Sequence, residues 1–152
     1  MKTKKIGFTM VFTLLLFISG LANAADANYK RTSVWRVNLI TTEYGQMDPY
    51  LDSLKSNYTT AIEEAKKQGM VLSYKILTGV KANPEDWDVM ILIEFANWAS
   101  LDTMQAKMDA INTKLYGSME KSDDNAKKQN AERTKIRAIF GGKLMQEIQF
   151  VK

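Results

Sequence analysis

Trp87-Asp88-Val89-Met90-Ile91-Leu92-Ile93-Glu94-Phe95-Ala96-Asn97-Trp98 is the most apolar run of the chain once its N-terminal leader is set aside. As a β-strand it puts Val89, Ile91, Ile93 and Phe95 on one face and Met90, Leu92 and Glu94 on the other. Both faces are largely apolar, so both ask for cover, which is the mark of a central strand. One carboxylate, Glu94, interrupts the second face.

The neighbouring segments fall into place around this strand. Upstream, residues 71–80 alternate Leu72, Tyr74 and Ile76 against Ser73, Lys75 and Leu77, a strand that the polar turn Lys81-Ala82-Asn83-Pro84-Glu85-Asp86 folds back as a hairpin. Further upstream, Asp48-Pro49 reads as a helix start with Asp48 as N-cap. Leu51, Leu54, Tyr58, Ile62 and Ala65 then form an apolar stripe that ends at Gly69, a natural left-handed C-terminal residue. Before it, residues 32–42 are β-branched and aromatic, with Trp35, Val37 and Leu39 sharing one face and Arg36 and Asn38 the other.

Downstream, Ser100 suits a helix cap. Leu101, Met104, Met108, Ile111 and Leu115 follow at helical steps and read as helix core. Residues 118–135 are almost wholly polar and show no apolar stripe; composition leaves a loop, a solvated helix and a lid all open. Residues 136–140 form a short apolar piece, Gly141-Gly142 a turn or bulge, and residues 144–151 a last strand.

The order β-α-β-β-α-β is the ferredoxin-like α+β plan, a four-stranded antiparallel sheet with strands one and three central and the helices on one face. The other face is then expected to carry Arg36, Asn38, Lys75, Met90, Leu92, Glu94, Met145 and Glu147, with only residues 118–135 available to cover it. A face with so many apolar side chains asks for a partner. In element order and patterning, residues 34–151 resemble the dimeric α+β barrel superfamily, whose ferredoxin-like protomers pack sheet to sheet. The resemblance implies a homodimer through the sheet face and a ligand cavity. It does not choose among the superfamily's cofactor-free monooxygenases, haem-degrading enzymes and stress-response barrels.

Composition excludes more chemistry than it suggests. The 152 residues include no Cys and no His. That removes disulfides, thiolate nucleophiles, zinc sites of the usual kind, Ser-His-Asp triads and His-ligated haem. No cofactor or metal is expected, and acid or base chemistry falls to Asp, Glu, Tyr or Lys. The formal charge of +4 includes Lys2, Lys4 and Lys5 of the leader. Without them the chain is close to neutral, and nucleic-acid binding loses its compositional support.

Those lysines, the apolar run over residues 6–18 and the A-x-A pattern of Ala22-Asn23-Ala24 read as a secretory signal peptide over residues 1–24. The apolar run is short of the roughly 20 residues that span a bilayer. The expectation is one domain over residues 25–152, periplasmic or secreted, with no membrane attachment after cleavage.

Candidate site residues follow from the face assignment. Haem-degrading members of the superfamily use an Asn on the first strand, a Trp and an iron-ligating His. Asn38 and Trp98 match the first two, and the missing His argues against haem. Arg36, Asn38, Tyr74, Glu94 and Trp98 are the candidates for binding a small, partly apolar ligand, with Glu94 the candidate acid or base. Paired with Arg36, Glu94 belongs instead to a scaffold. Three functions remain in view: ligand binding in the barrel, a cofactor-free oxygenase or isomerase acting on an aromatic or polyketide-like substrate, and a non-catalytic protein-interaction module. For the three tryptophans, packing is the ordinary role.

Overall fold

Apolar alternation in the β-branched segments produces a single four-stranded antiparallel sheet: β1 (Tyr29–Thr42), β2 (Ser73–Thr78), β3 (Val89–Phe95) and β4 (Arg137–Phe150), in the order β2-β3-β1-β4. The structure is a computed structural model that describes residues 28–151. The signal-peptide expectation, over residues 1–24, lies outside the described residues. The strand order, with β2 and β3 adjacent as a hairpin and each helix-connected pair split by one intervening strand, is the ferredoxin-like plan, so the likeness to the protomer of the dimeric α+β barrels holds for the fold.

Between β1 and β2 the chain is helical in three consecutive pieces: α1 (Met47–Ser53), a π-helical turn (Leu54–Tyr58) and α2 (Thr59–Lys67). Asp48 is not the N-cap. The helix begins at Met47, two residues before the expected Pro49, and Gln46 occupies the cap position without a side-chain bond. Gly69 ends the segment with φ of 69°, as the Gly signal predicts. After β3, the side chain of Asn97, not Ser100, accepts the capping bond, from the Ser100 N–H at 3.0 Å. This cap opens a 3-10 turn (Trp98–Leu101), which leads into α3 (Met104–Tyr116).

Residues 118–135 resolve to the solvated helix. α4 (Met119–Arg133) starts where the Ser118 side chain accepts from the Lys121 N–H, and buries only Ser122. It packs on α3, on the helix side of the sheet, and so does not cover the open face. The apolar piece, the glycines and the last strand are one long strand, β4, with a bulge at Phe140 where the β1–β4 register shifts.

The core lies between the sheet and its helices. Val89, Ile91, Ile93 and Phe95 are buried there with Val34 and Ile40 of β1, Leu54, Ile62 and Ala65 of the first helical segment, and Met104 and Ile111 of α3. Phe95 is 0% exposed. Met90, Leu92 and Glu94 alternate with these and are only half-buried. The two faces of β3 are therefore those its sequence predicts.

The two faces of β1 are exchanged relative to the sequence expectation. In the β1–β3 ladder Arg36 stands opposite Ile93 and Asn38 opposite Ile91, while Trp35 stands opposite Glu94 and Val37 opposite Leu92. Directly opposed residues point to the same side of a sheet. Arg36 and Asn38 thus lie under the helices between Val34 and Ile40, and Trp35, Val37 and Leu39 lie on the open face. The cause is register: aligning Val34 with Phe95 and Ile40 with Val89 closes the core at both ends, and the more apolar Trp-Val-Leu set is turned outward.

Candidate functional site

The exchange separates the residues that the sequence reading grouped. Arg36, Asn38 and Glu94 do not line one cavity, because Arg36 and Asn38 lie on the covered face and Glu94 on the open one. The Arg36–Glu94 ion pair is absent for the same reason. Arg36 instead sits over the Phe95 ring, 5.5 Å from its centroid. Tyr74, opposite Ile93, shares the covered face with Arg36; burial, with a bond to Glu63, raises its hydroxyl pKa. Trp98 is 48% exposed at the end of the sheet, and its indole N–H donates to Gln146. That amide in turn donates to the Thr32 and Ser33 carbonyls, so Trp98 pins strand ends together.

On the open face both carboxylates and the Trp35 indole are bonded. The Ser73 hydroxyl donates to Glu94. Glu147 accepts from Trp35 Nε1 at 3.0 Å and from Ser33 Oγ at 2.8 Å. These bonds, the indole's foremost, hold the Glu147 carboxyl below its ordinary pKa. Lys75 lies over the Trp35 ring at 5.6 Å. What lacks an answer is apolar: Leu77 and Met145 are largely exposed, and Leu39, Met90 and Leu92 partly so.

The covered face is the converse. A cavity of about 160 Å³ opens between the sheet and the first helical segment, bounded by the ends of α4 and β4. Asn38 lines it from β1, Tyr50 from α1, and Arg133 and Arg137 from either side of the α4–β4 junction. Leu54 and Tyr58 reach it from the π-helical turn. A π turn widens a helix by one residue, and such turns recur at functional sites. Asn38 fits because Gly142 lies beside it: a Cβ on Gly142 would meet Asn38 Oδ1 at 3.0 Å and the Val37 carbonyl at 3.1 Å. The second glycine of Gly141-Gly142 thus makes room for an amide, with the bulge one step away.

Three side-chain atoms around this cavity are buried without a hydrogen-bond partner: Tyr58 Oη, Arg133 Nε and Arg137 Nε. Buried polar atoms are ordinarily paired, and each exception needs a cause. Burial pushes the Tyr58 hydroxyl up to about 12, against the pull of Arg36. Burial likewise raises Tyr50, against Arg137 and Arg133. Both phenols are therefore neutral donors at physiological pH. Of the five sequence candidates, only Asn38 lines the cavity. Tyr50, Arg133 and Arg137 were not among them, and Tyr58 was read as helix core.

A larger groove of about 550 Å³ lies at the C-terminal end of β1, beside Thr42, Lys81 and Asp88. Its buried polar groups, Thr42 and Asp88, are satisfied by one another and by Lys81. Buried Asp88 accepts from the Thr42 N–H at 2.9 Å and from Thr42 Oγ1 at 2.6 Å, with Lys81 Nζ at 3.6 Å. The arrangement fastens the β2–β3 connection to β1. Among the described residues no cluster of three or more Asp, Glu, His or Cys is placed to hold a metal ion, and no helix is long and apolar enough to cross a membrane.

No family model and no curated protein matches the chain. Among solved structures, a dimeric ferredoxin-like protein from an uncultured marine organism is similar to it at 13% sequence identity and a TM-score of 0.40, covering 80% of this chain and 96% of that one.

Proposed function

We propose that this is an exported, homodimeric small-molecule-binding protein of the dimeric α+β barrel type, whose ligand occupies the cavity between sheet and helices in each protomer. The observation that carries the reading is that three residues lining one cavity, Tyr58, Arg133 and Arg137, each hold a buried polar atom without a partner. Leaving such a group unsatisfied costs about 1–3 kcal/mol. A fold that keeps three of them together is organised for an occupant. The reading assigns binding and no reaction.

The open face supports the dimer. Trp35, Val37, Leu39, Met90 and Leu92 form a contiguous apolar strip across the two central strands, continued by Leu77 and Met145 on the edge strands. No described element lies over it. The same face carries Lys75 and Lys143 as well as Glu94 and Glu147. A two-fold interface brings a surface against itself, so a patch holding both signs of charge around an apolar centre is suited to a second copy of this chain. Export rests on the leader pattern of residues 1–24.

Native mass spectrometry of the protein purified from its own compartment tests these elements together. The expected species is a dimer of chains shortened by the leader, with a small retained mass per protomer. A ligand-free monomer of the full chain would overturn the reading.

A further inference from the structure

We infer that the cavity holds the carboxylate of a small, ring-sized organic acid between Arg133 and Arg137, with Tyr58 and Asn38 as supporting donors. The inference rests on the binding reading above and names the class of ligand. Its first ground is charge. Arg36 and Arg133 act on Tyr58, and Arg137 and Arg133 on Tyr50, yet none of the three arginines forms an ion pair among the described residues. The ion pairs found there are Lys81–Asp88, Lys114–Glu64 and Lys127–Asp124. Arg133 has Gln129 as a neutral partner for Nη2 at 3.1 Å, which leaves its Nε free. Uncompensated guanidinium groups gathered at the edge of a core are costly, and an anion between them relieves both desolvation and mutual repulsion.

The second ground is geometry of donation. Arg133 and Arg137 both line the cavity, and a guanidinium presents parallel N–H groups that match the two oxygens of a carboxylate. Tyr58 is protonated at physiological pH and adds a hydroxyl donor. The Asn38 amide supplies a further donor. Among the described residues no carboxylate lines the cavity, so its charged lining groups favour an anion over a cation.

The third ground is size and lining. Ile40, Leu54, Ile91 and Ile139 supply apolar walls. A cavity of roughly 150 Å³ accommodates one benzene ring, so about 160 Å³ admits a ring or a short branched chain and excludes anything as large as a nucleotide.

Isothermal titration of the purified protein at neutral pH with benzoate, benzyl alcohol and inorganic phosphate as probes tests the assignment. Benzoate is expected to bind at least tenfold more tightly than the other two, and Arg137→Met to weaken benzoate at least tenfold while leaving the far-UV circular dichroism unchanged. Should that variant fail to fold, the comparison of benzoate with benzyl alcohol on the unaltered protein decides alone. Benzyl alcohol binding as well as benzoate would end the anion assignment and keep the cavity reading. Preference for phosphate would end the carboxylate assignment. Binding of none of the three would end both.

Discussion

The two faces of the sheet carry opposite deficits. The face beneath the helices buries the apolar core, yet it retains polar atoms with nothing to bond. The open face has its carboxylates and its indole bonded, yet it leaves leucines and methionines in water. Each deficit sits where the surroundings make it most costly: an unpaired donor costs most in a low-dielectric interior, and an apolar side chain costs most at the surface. The contrast teaches that the protomer is complete as a fold and incomplete as a surface, and that the two faces lack different things: a polar occupant on one side, an apolar one on the other.

The contrast breaks most readily at the core. Phe95→Ala should cost about 3–5 kcal/mol of folding stability, the usual range for a fully buried Phe, measured by denaturant unfolding and independent of protein concentration. On the opposite face of the same strand, Leu92→Lys should leave the far-UV circular dichroism of the protomer intact. It should weaken self-association at least tenfold, about 1.4 kcal/mol, in sedimentation equilibrium. If Leu92→Lys unfolds the chain, or leaves association unchanged, the two faces do not divide the work in this way.

The smallest effect concerns the unpaired donor itself. Tyr58→Phe should stabilise the ligand-free protein by about 1 kcal/mol at neutral pH, since it removes a buried hydroxyl without a partner. Its pH dependence has a definite sign. Burial raises the folded-state pKa of Tyr58 from the ordinary tyrosine value of 10.0 to about 12. Its contribution is therefore fully present below pH 10.0 and is lost as pH rises through the folded value. Thermal unfolding from neutral to strongly alkaline pH should show this alkaline decline in the unaltered protein and a shallower one in Tyr58→Phe.

Much of the fold was legible because its signals are local. Gly69, the Pro84 turn and the 3.6-residue stripes over residues 51–65 and 101–115 punctuate the chain into the ferredoxin-like order, and the alternation in β3 assigns its faces correctly. The facing of β1 was not legible. Period-2 alternation divides a strand into two sets, and when both sets are partly apolar only the partner strand's register decides which set faces inward. The order of preference was reversed here because Val34 and Ile40, at the ends, outweigh Trp35, Val37 and Leu39 in closing the core. α4 was one of three open readings because a helix that buries only Ser122 leaves no stripe to read. The arginines of the cavity were hidden by the same ambiguity. Arg133 and Arg137 flank the α4–β4 junction, and nothing local relates them to Tyr58 or Asn38, far earlier in the chain.

The π-helical turn over Leu54–Tyr58 bears on how such a cavity arises and disappears in descent. A π turn is, in effect, one residue inserted into an α-helix. α1 and α2 flank it on either side, with Tyr50 in one and Ile62 and Ala65 in the other committed to the core. Loss of one codon within the turn would restore a plain α-helix while both flanks kept their packing. The cavity's hydroxyl and part of its wall are therefore separable from the scaffold by a single genetic event.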